Sequence, residues 1–362
     1  MEKINKYFPD VYFHPGETLE EKLKELGMGP KEFAVRTGKP EKTIIAVLKG
    51  ESSITPDMSI QFESVLSIPA RFWLKSQLEY DEYLARERRK EVLLAAIEWV
   101  KLFPIPQMVK LGWIKPVENK FELAPQLLSF FGVASAKSWE DYYLNQTLKV
   151  AFRISLAHVS EPYAVSAWLR HGEITSMKLN AESYSEKRFN EVLPEIKSIM
   201  TSQPDNFFHR LQTLCLSAGV KVVYSPCVSK APINGATRWI NGVPVIQLSG
   251  RYKRNDIFWL TFFHEAGHIL LHGSKEIFLE CNCKENYESE KENEADEFAI
   301  KWTFSHAEED LLMTNFRIDD DIISEYAHIF NTHPALIVGR LQHKKLLRCD
   351  IGRKFIESIE LK

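Results

Sequence analysis

The sequence predicts a multidomain chain: an all-α bundle over residues 1–90, a helical middle region over 91–210 and an α+β domain over 211–362. Three observations lead there. The chain has 362 residues, more than one ordinary domain needs. Its apolar residues keep a helical spacing, punctuated by Gly and Pro, as far as about Leu214. Strand signals begin only after Gly219.

In the first 90 residues an aromatic and proline-rich lead-in (Tyr7, Phe8, Pro9, Tyr12, Phe13, Pro15) gives way at Thr18 to a helix. Leu19, Leu23 and Leu26 lie along one face of it, and Gly27 stops it. A short helix from Lys31 to Thr37 ends at Gly38. Pro40 then starts a helix through Ile44 and Leu48 that stops at Gly50. Thr55 or Asp57 opens another helix, ending near Leu66, and Pro69 begins one carrying Phe72, Trp73 and Leu78. Tyr80 to Val100 is strongly charged and reads as the link to the middle region. Helical patterns continue, for example over Trp139 to Ala151 and Phe189 to Met200. Then come strands at Val220–Val223, Thr237–Ile240 and Val245–Leu248, the last two joined by Asn241–Gly242, a strong hairpin signal. An apolar helix from about Asp256 to His272 stops at Gly273.

Composition narrows the function classes. Apolar residues make up 44% and charged residues 26%, the balance of a soluble globular protein. The net charge of -3 creates no global field toward nucleic acid, so any DNA contact has to be local. The longest apolar stretches, such as Ile257 to Phe263, are too short to span a bilayer, which argues against a membrane partner. The stretch MEKINKYFPD lacks the apolar core of a secretion signal. Five cysteines (Cys215, Cys227, Cys281, Cys283, Cys349) read as reduced thiols, which places the protein in the cytoplasm.

The most informative stretch is Phe262 to Leu270. His264 and His268 are four apart on a helix, so both imidazoles project from one face and can reach one zinc ion. Glu265, one residue on, falls beside the open coordination position rather than on the ion. There it can take a proton from a metal-bound water, whose pKa the ion lowers to roughly 7. Gly267 leaves room for another backbone. His272 extends the histidine stripe but lies about 12 Å along the axis from His264 at a rise of about 1.5 Å per residue. It therefore reads as a support or core residue, not a ligand. A catalytic zinc needs a third protein ligand. The acidic run from Glu288 to Glu297 offers Glu292, with Glu294 as the competing choice, and Asp296 could orient a ligating imidazole. Cys281–Asn282–Cys283 is a weak thiolate alternative. Donors for an oxyanion are sought among Arg238, Tyr252, His272 and His333.

The run His264–Glu265–Ala266–Gly267–His268–Ile269–Leu270–Leu271–His272, followed by Glu292 to Ala299, resembles the ImmA/IrrE family of zinc metallo-endopeptidases. Gly235 to Trp239 and Val338 to Gln342 look like that family's flanking elements. The resemblance implies a minimal zincin-like metalloprotease fold whose second, acidic helix supplies the glutamate ligand. It implies an edge strand near Arg238 on which a substrate segment could lie as an added strand. It also implies a protein substrate, of the kind of a transcriptional repressor, cleaved under stress control.

His14–Pro15–Gly16–Glu17 through Trp73, with Ile54–Thr55–Pro56 and Ile68 to Trp73, resembles the HigA-type antitoxin branch of the Xre helix-turn-helix class. That resemblance implies DNA binding through residues 18–50, with Lys42, Thr43 and Lys49 as contacts, and possible partnership with a toxin or a second copy as homodimer. Pro30, Glu41 and Ile45 depart from the pattern. A second function class is a DNA-binding transcription regulator or antitoxin whose zincin-like domain is a sensor or inactive. The two classes part on bound zinc and on the consequence of Glu265→Gln.

Overall fold

A computed structural model describes residues 12–146, 161–229, 231, 233–273, 278–281 and 289–361. Residues Tyr7 to Pro9 of the lead-in, the end of the helix expected to reach Ala151, and Cys283 of the Cys-x-Cys stretch lie outside them. The chain divides into two compact units, Met1–Ala95 and Ala96–Lys362.

Among the described residues the elements of the first unit are all helices: α1 Pro15–Glu25, α2 Pro30–Thr37, α3 Glu41–Leu48, α4 Pro56–Leu66 and the first part of α5 Ala70–Val100. Proline opens α1, α2 and α4, where its missing N–H has no partner to lose. Gly38 closes α2 at φ 65, a left-handed value that favours glycine. Leu19, Leu23, Phe33, Ile44, Val47, Phe62 and Trp73 form the core. The Ile54–Thr55–Pro56 motif has a local cause. Thr55 caps α4 by accepting from the Met58 N–H at 3.3 Å, and the Ile54 N–H donates to Gln77 Oε1 at 2.9 Å. The charged stretch expected as a link lies in α5, which runs unbroken for 31 residues across the boundary between the units in the chain. Pairs one turn apart hold its exposed surface, including Arg86 with Glu82 and Lys90 with Glu87.

The second unit begins with α6 Ile105–Lys110, α7 Leu123–Phe131 and α8 Ala136–Trp139, the last continuing as a π-helical segment over Glu140–Gln146. After it come α9 Pro162–Ser176, α10 Glu186–Ser202 and α11 Phe207–Ser217. Next is a four-stranded sheet of β1 Lys221–Tyr224, β2 Ile233–Ile240, β3 Val243–Leu248 and β4 Phe278–Cys281, in the order β1-β3-β2-β4. β1 runs parallel to β3, and β2 runs antiparallel to both β3 and β4. The Asn241–Gly242 turn is present, with φ 52 and 79, and pairs Ile240 with Val243. β4 was not foreseen, and it covers β2 at Ile233 and Gly235 to Thr237, short of Arg238, near which the resemblance implied an edge.

α12 Asn255–Gly267 lies under the sheet and passes into a π-helical turn, His268–His272. Its Phe258, Trp259, Phe262 and Ala266 pack with Val220, Val222, Ile246 and Leu248 in one core. α13 Ser289–Thr303 crosses α12 where Gly267 has no side chain. A Cβ there would stand 3.3 Å from Ala295 Cα and 3.2 Å from Phe298 Cβ. Phe263 and Trp302 stack across the same contact, centroids 5.9 Å apart. α14 His306–Leu312, α15 Asp320–Ile329 and α16 Pro334–His343 complete the unit around Phe304, Ile337 and Leu341.

Candidate metal centre

Two helices and one strand build the site. From α12 and the π-helical turn at its end, His264 and His268 are both buried, and their Nε2 atoms approach to 3.0 Å. From α13, Glu292 brings Oε2 to 3.3 Å from His264 Nε2 and Oε1 to 3.7 Å from His268 Nε2. Zinc bonds of about 2.0–2.1 Å in a tetrahedron put ligand atoms roughly 3.3 Å apart, so the three separations bracket what one ion requires.

The outer imidazole nitrogens fix how each ring is held. His264 Nδ1 lies 2.8 Å from Asp296 Oδ1. A carboxylate accepts, so Nδ1 carries the proton and the Nε2 lone pair faces inward. His268 Nδ1 lies 3.0 Å from His272 Nδ1, and His272 Nε2 lies 2.9 Å from Glu294 Oε2. Starting from that carboxylate, His272 donates through Nε2 and accepts through Nδ1, which leaves the Nε2 lone pair of His268 also facing inward. Two lone pairs and a carboxylate converging on one point repel unless a cation stands between them, so the donor set fits a metal ion.

Electrostatics agree with that protonation. Burial lowers the His268 pKa to about 4, with Glu292 opposing, so the ring is neutral near pH 7.

Glu265 is fully buried and accepts a 2.6 Å hydrogen bond from Thr237 Oγ1 on β2. At Gly235 the strand comes so close that a Cβ would stand 2.5 Å from Glu265 Oε1. The structure thus brings together His264, His268, Glu292 and Asp296, with Glu265 on the same helix held by Thr237. It separates the two carboxylates the sequence left open, with Glu292 facing both Nε2 atoms and Glu294 at His272. Thr237 and Gly235 were missed as site residues. The signal for them was a small-residue strand, Gly235–Ala236–Thr237, one element before the histidine helix.

The sought oxyanion donors fall apart. Alternation along β2 turns Arg238 to the opposite face from Thr237, where it donates to the Leu169 carbonyl at 2.8 Å and to Gln247 Oε1 at 3.1 Å. Tyr252 lines a small cleft with Asn234 and Thr261. His333 caps α16 by accepting from the Ala335 N–H at 3.2 Å. Only His272 of the four lies at the histidine cluster. In the first unit Lys42 and Lys49 are exposed and Thr43 half-buried. Neither lysine forms an ion pair among the described residues, whereas Lys22, Lys24, Arg36 and Lys39 pair with Glu25, Glu20, Glu32 and Asp57.

A histidine–histidine–glutamate cluster beneath a small sheet, in a chain that opens with a five-helix module, defines a two-part protein with a zincin-like domain. Residues 215–333 match the family Peptidase_M78, described as IrrE N-terminal-like domain. That match is confined to this stretch, and the N-terminal module belongs with the HTH-type regulators. It is 32% identical over 63 residues to the uncharacterized HTH-type transcriptional regulator YddM of Escherichia coli (strain K12), covering 17% of this chain and 67% of that protein. Among solved structures it is similar to an antidote protein of a plasmid maintenance system from Nostoc punctiforme, at 34% identity, 22% of this chain, 88% of that one and TM-score 0.22. It is also similar to an addiction module antidote protein of the HigA family from Coxiella burnetii, at 32% identity, 21% and 84% coverage and TM-score 0.21. No helix among the described residues is long and apolar enough to cross a membrane.

Proposed function

We infer that this protein is a zinc-dependent endopeptidase that cleaves a regulatory protein partner of the repressor type. The observation that carries this is the convergence of His264 Nε2, His268 Nε2 and a Glu292 oxygen within 4.8 Å of one another, beside a buried Glu265. These three residues would hold zinc, which when bound supplies a Lewis acid for water and for the scissile carbonyl. Glu265 takes the proton of the attacking water and delivers it to the leaving amine. Thr237 keeps its carboxylate in place through the 2.6 Å hydrogen bond. Asp296 orients His264, and His272 with Glu294 orients His268.

The test is elemental analysis joined to a substrate trap. About one zinc per chain, retained in Glu265→Gln while that variant captures a partner it does not cut, is the expected result. Protein purified without chelators that carries no metal would sink the reading.

Lys42 and Lys49, exposed and without ion pairs among the described residues, favour a second activity for the same chain, namely DNA contact through α3 with Thr43 alongside. On this reading residues 1–90 bind DNA, 91–210 connect, and 211–362 carry the chemistry. If the zinc reading fails, the chain is a regulator or antitoxin with a sensor domain.

A further inference from the structure

β2 is the strand that holds Glu265, with Thr237 bonded to the carboxylate and Gly235 bare beside it. One edge of β2 is taken by β3 in an uninterrupted ladder from Gly235–Leu248 to Ile240–Val243. The other edge, at Ile233 and Gly235 to Thr237, is taken by β4, antiparallel. The segment of β2 that touches Glu265 is therefore the segment β4 covers. We propose that β4 is a built-in occupant of the peptide-docking edge, and that an extended substrate segment enters antiparallel to β2 by replacing it. This rests on the metallopeptidase reading.

The two ladders differ in strength. β3 is joined to β2 by a two-residue turn, so their pairing closes almost no loop. β4 has four residues, comes after α12 in the chain, and pairs with a register shift between Ile233 and Gly235. A shift of this kind interrupts the hydrogen-bond ladder. An incoming peptide remakes the backbone hydrogen bonds that β4 gives up, so the exchange is decided by side chains and by local concentration rather than by bond count.

Docking on the outer edge of β4 is the competing geometry. It adds one inter-strand spacing, about 4.8 Å, between the peptide and the strand carrying Glu265. A general base works within roughly 3 Å of the proton it takes, so the inner position fits the chemistry better. The partner is thus an extended, unpaired segment without proline at the alternate positions whose N–H faces β2, since only those donate to it.

Cross-linking tests this in the zinc-loaded full chain. Ala236 and Leu279 are direct partners, so Ala236→Cys with Leu279→Cys locks β4 when oxidised and frees it when reduced. Two probes are titrated, acetohydroxamate, which needs only the metal, and Val-Leu-Gly-hydroxamate, which needs metal and strand edge. Oxidation is expected to leave acetohydroxamate binding unchanged and to weaken the tripeptide probe at least tenfold, with full recovery in dithiothreitol. Both states are one polypeptide, so recovery on reduction excludes misfolding as the cause. Leu279→Pro is expected to tighten the tripeptide probe. Equal tripeptide affinity in both redox states overturns the proposal and leaves the metal reading standing. Failure of acetohydroxamate to bind any form overturns both.

Discussion

His171 stacks on Trp113 with ring centroids 4.4 Å apart, and its Nδ1 meets Ser225 Oγ at 2.9 Å. Burial, with a smaller push from Lys178, lowers its pKa to about 4, against about 6.5 for a free imidazole. The unfolded chain therefore binds this proton more readily than the folded one. Stability from His171 is complete above about pH 6.5, falls as the pH drops through the unfolded value, and stops falling below about 4. His14 and His333 are lowered by burial too, so the measurement has to be a difference. Urea midpoints at pH 7 and pH 4.5 are expected to differ less in His171→Gln than in wild type. An equal or larger difference in the variant would remove His171 from the account. At this scale the sequence was legible where spacing alone constrains geometry. His264 and His268 had to share a face, and Asp296, expected beside an imidazole, lies 2.8 Å from His264 Nδ1. Glu292 was favoured over Glu294 without being separated from it, because residues two apart point to different sides of α13 and both border its apolar face.

Single elements carry the remaining differences between expectation and fold. The extent of α5 was hidden because its charged stretch is supported by pairs such as Arg86–Glu82 rather than by an apolar stripe. β4 left no trace because four residues without turn signals become a strand only when β2 is beside them. The same dependence makes β4 replaceable. α3 is the element whose role is read from charge. Its Lys42 and the Lys49 at its end are free of intramolecular ion pairs among the described residues, although Glu41 precedes them. If each contacts one phosphate, Lys42→Ala with Lys49→Ala lowers the slope of log affinity against log salt by about 1.8, from roughly 0.9 per contact. Titrating a 30-base-pair duplex of mixed sequence at several salt concentrations measures it. An unchanged slope would assign these lysines to solvation only.

At the scale of the whole chain, the two units have separate cores. Leu19, Phe33, Ile44, Phe62 and Trp73 belong to one, and Trp259, Phe262, Phe263 and Ala266 to the other, with no residue in common. Residues 81–95 of α5, between them in the chain, are mostly exposed. A helix stretch with so little buried surface passes on little stability, so the units are expected to melt as two transitions. The proposed ligands all lie in the second unit, and zinc at a thousandfold excess over its dissociation constant stabilises the state that binds it by about 4 kcal/mol. Spread over the unfolding entropy of a unit of this size, that is about 7 °C. Scanning calorimetry with zinc and again with a chelator is therefore expected to move one transition by several degrees and leave the other in place. Glu265→Gln should behave as wild type, because Glu265 is not among the proposed ligands. His264→Ala should lose the shift. A single transition would mean that α5 couples the units more strongly than its exposure suggests. Two transitions that both move with zinc would place a metal-linked contact between them.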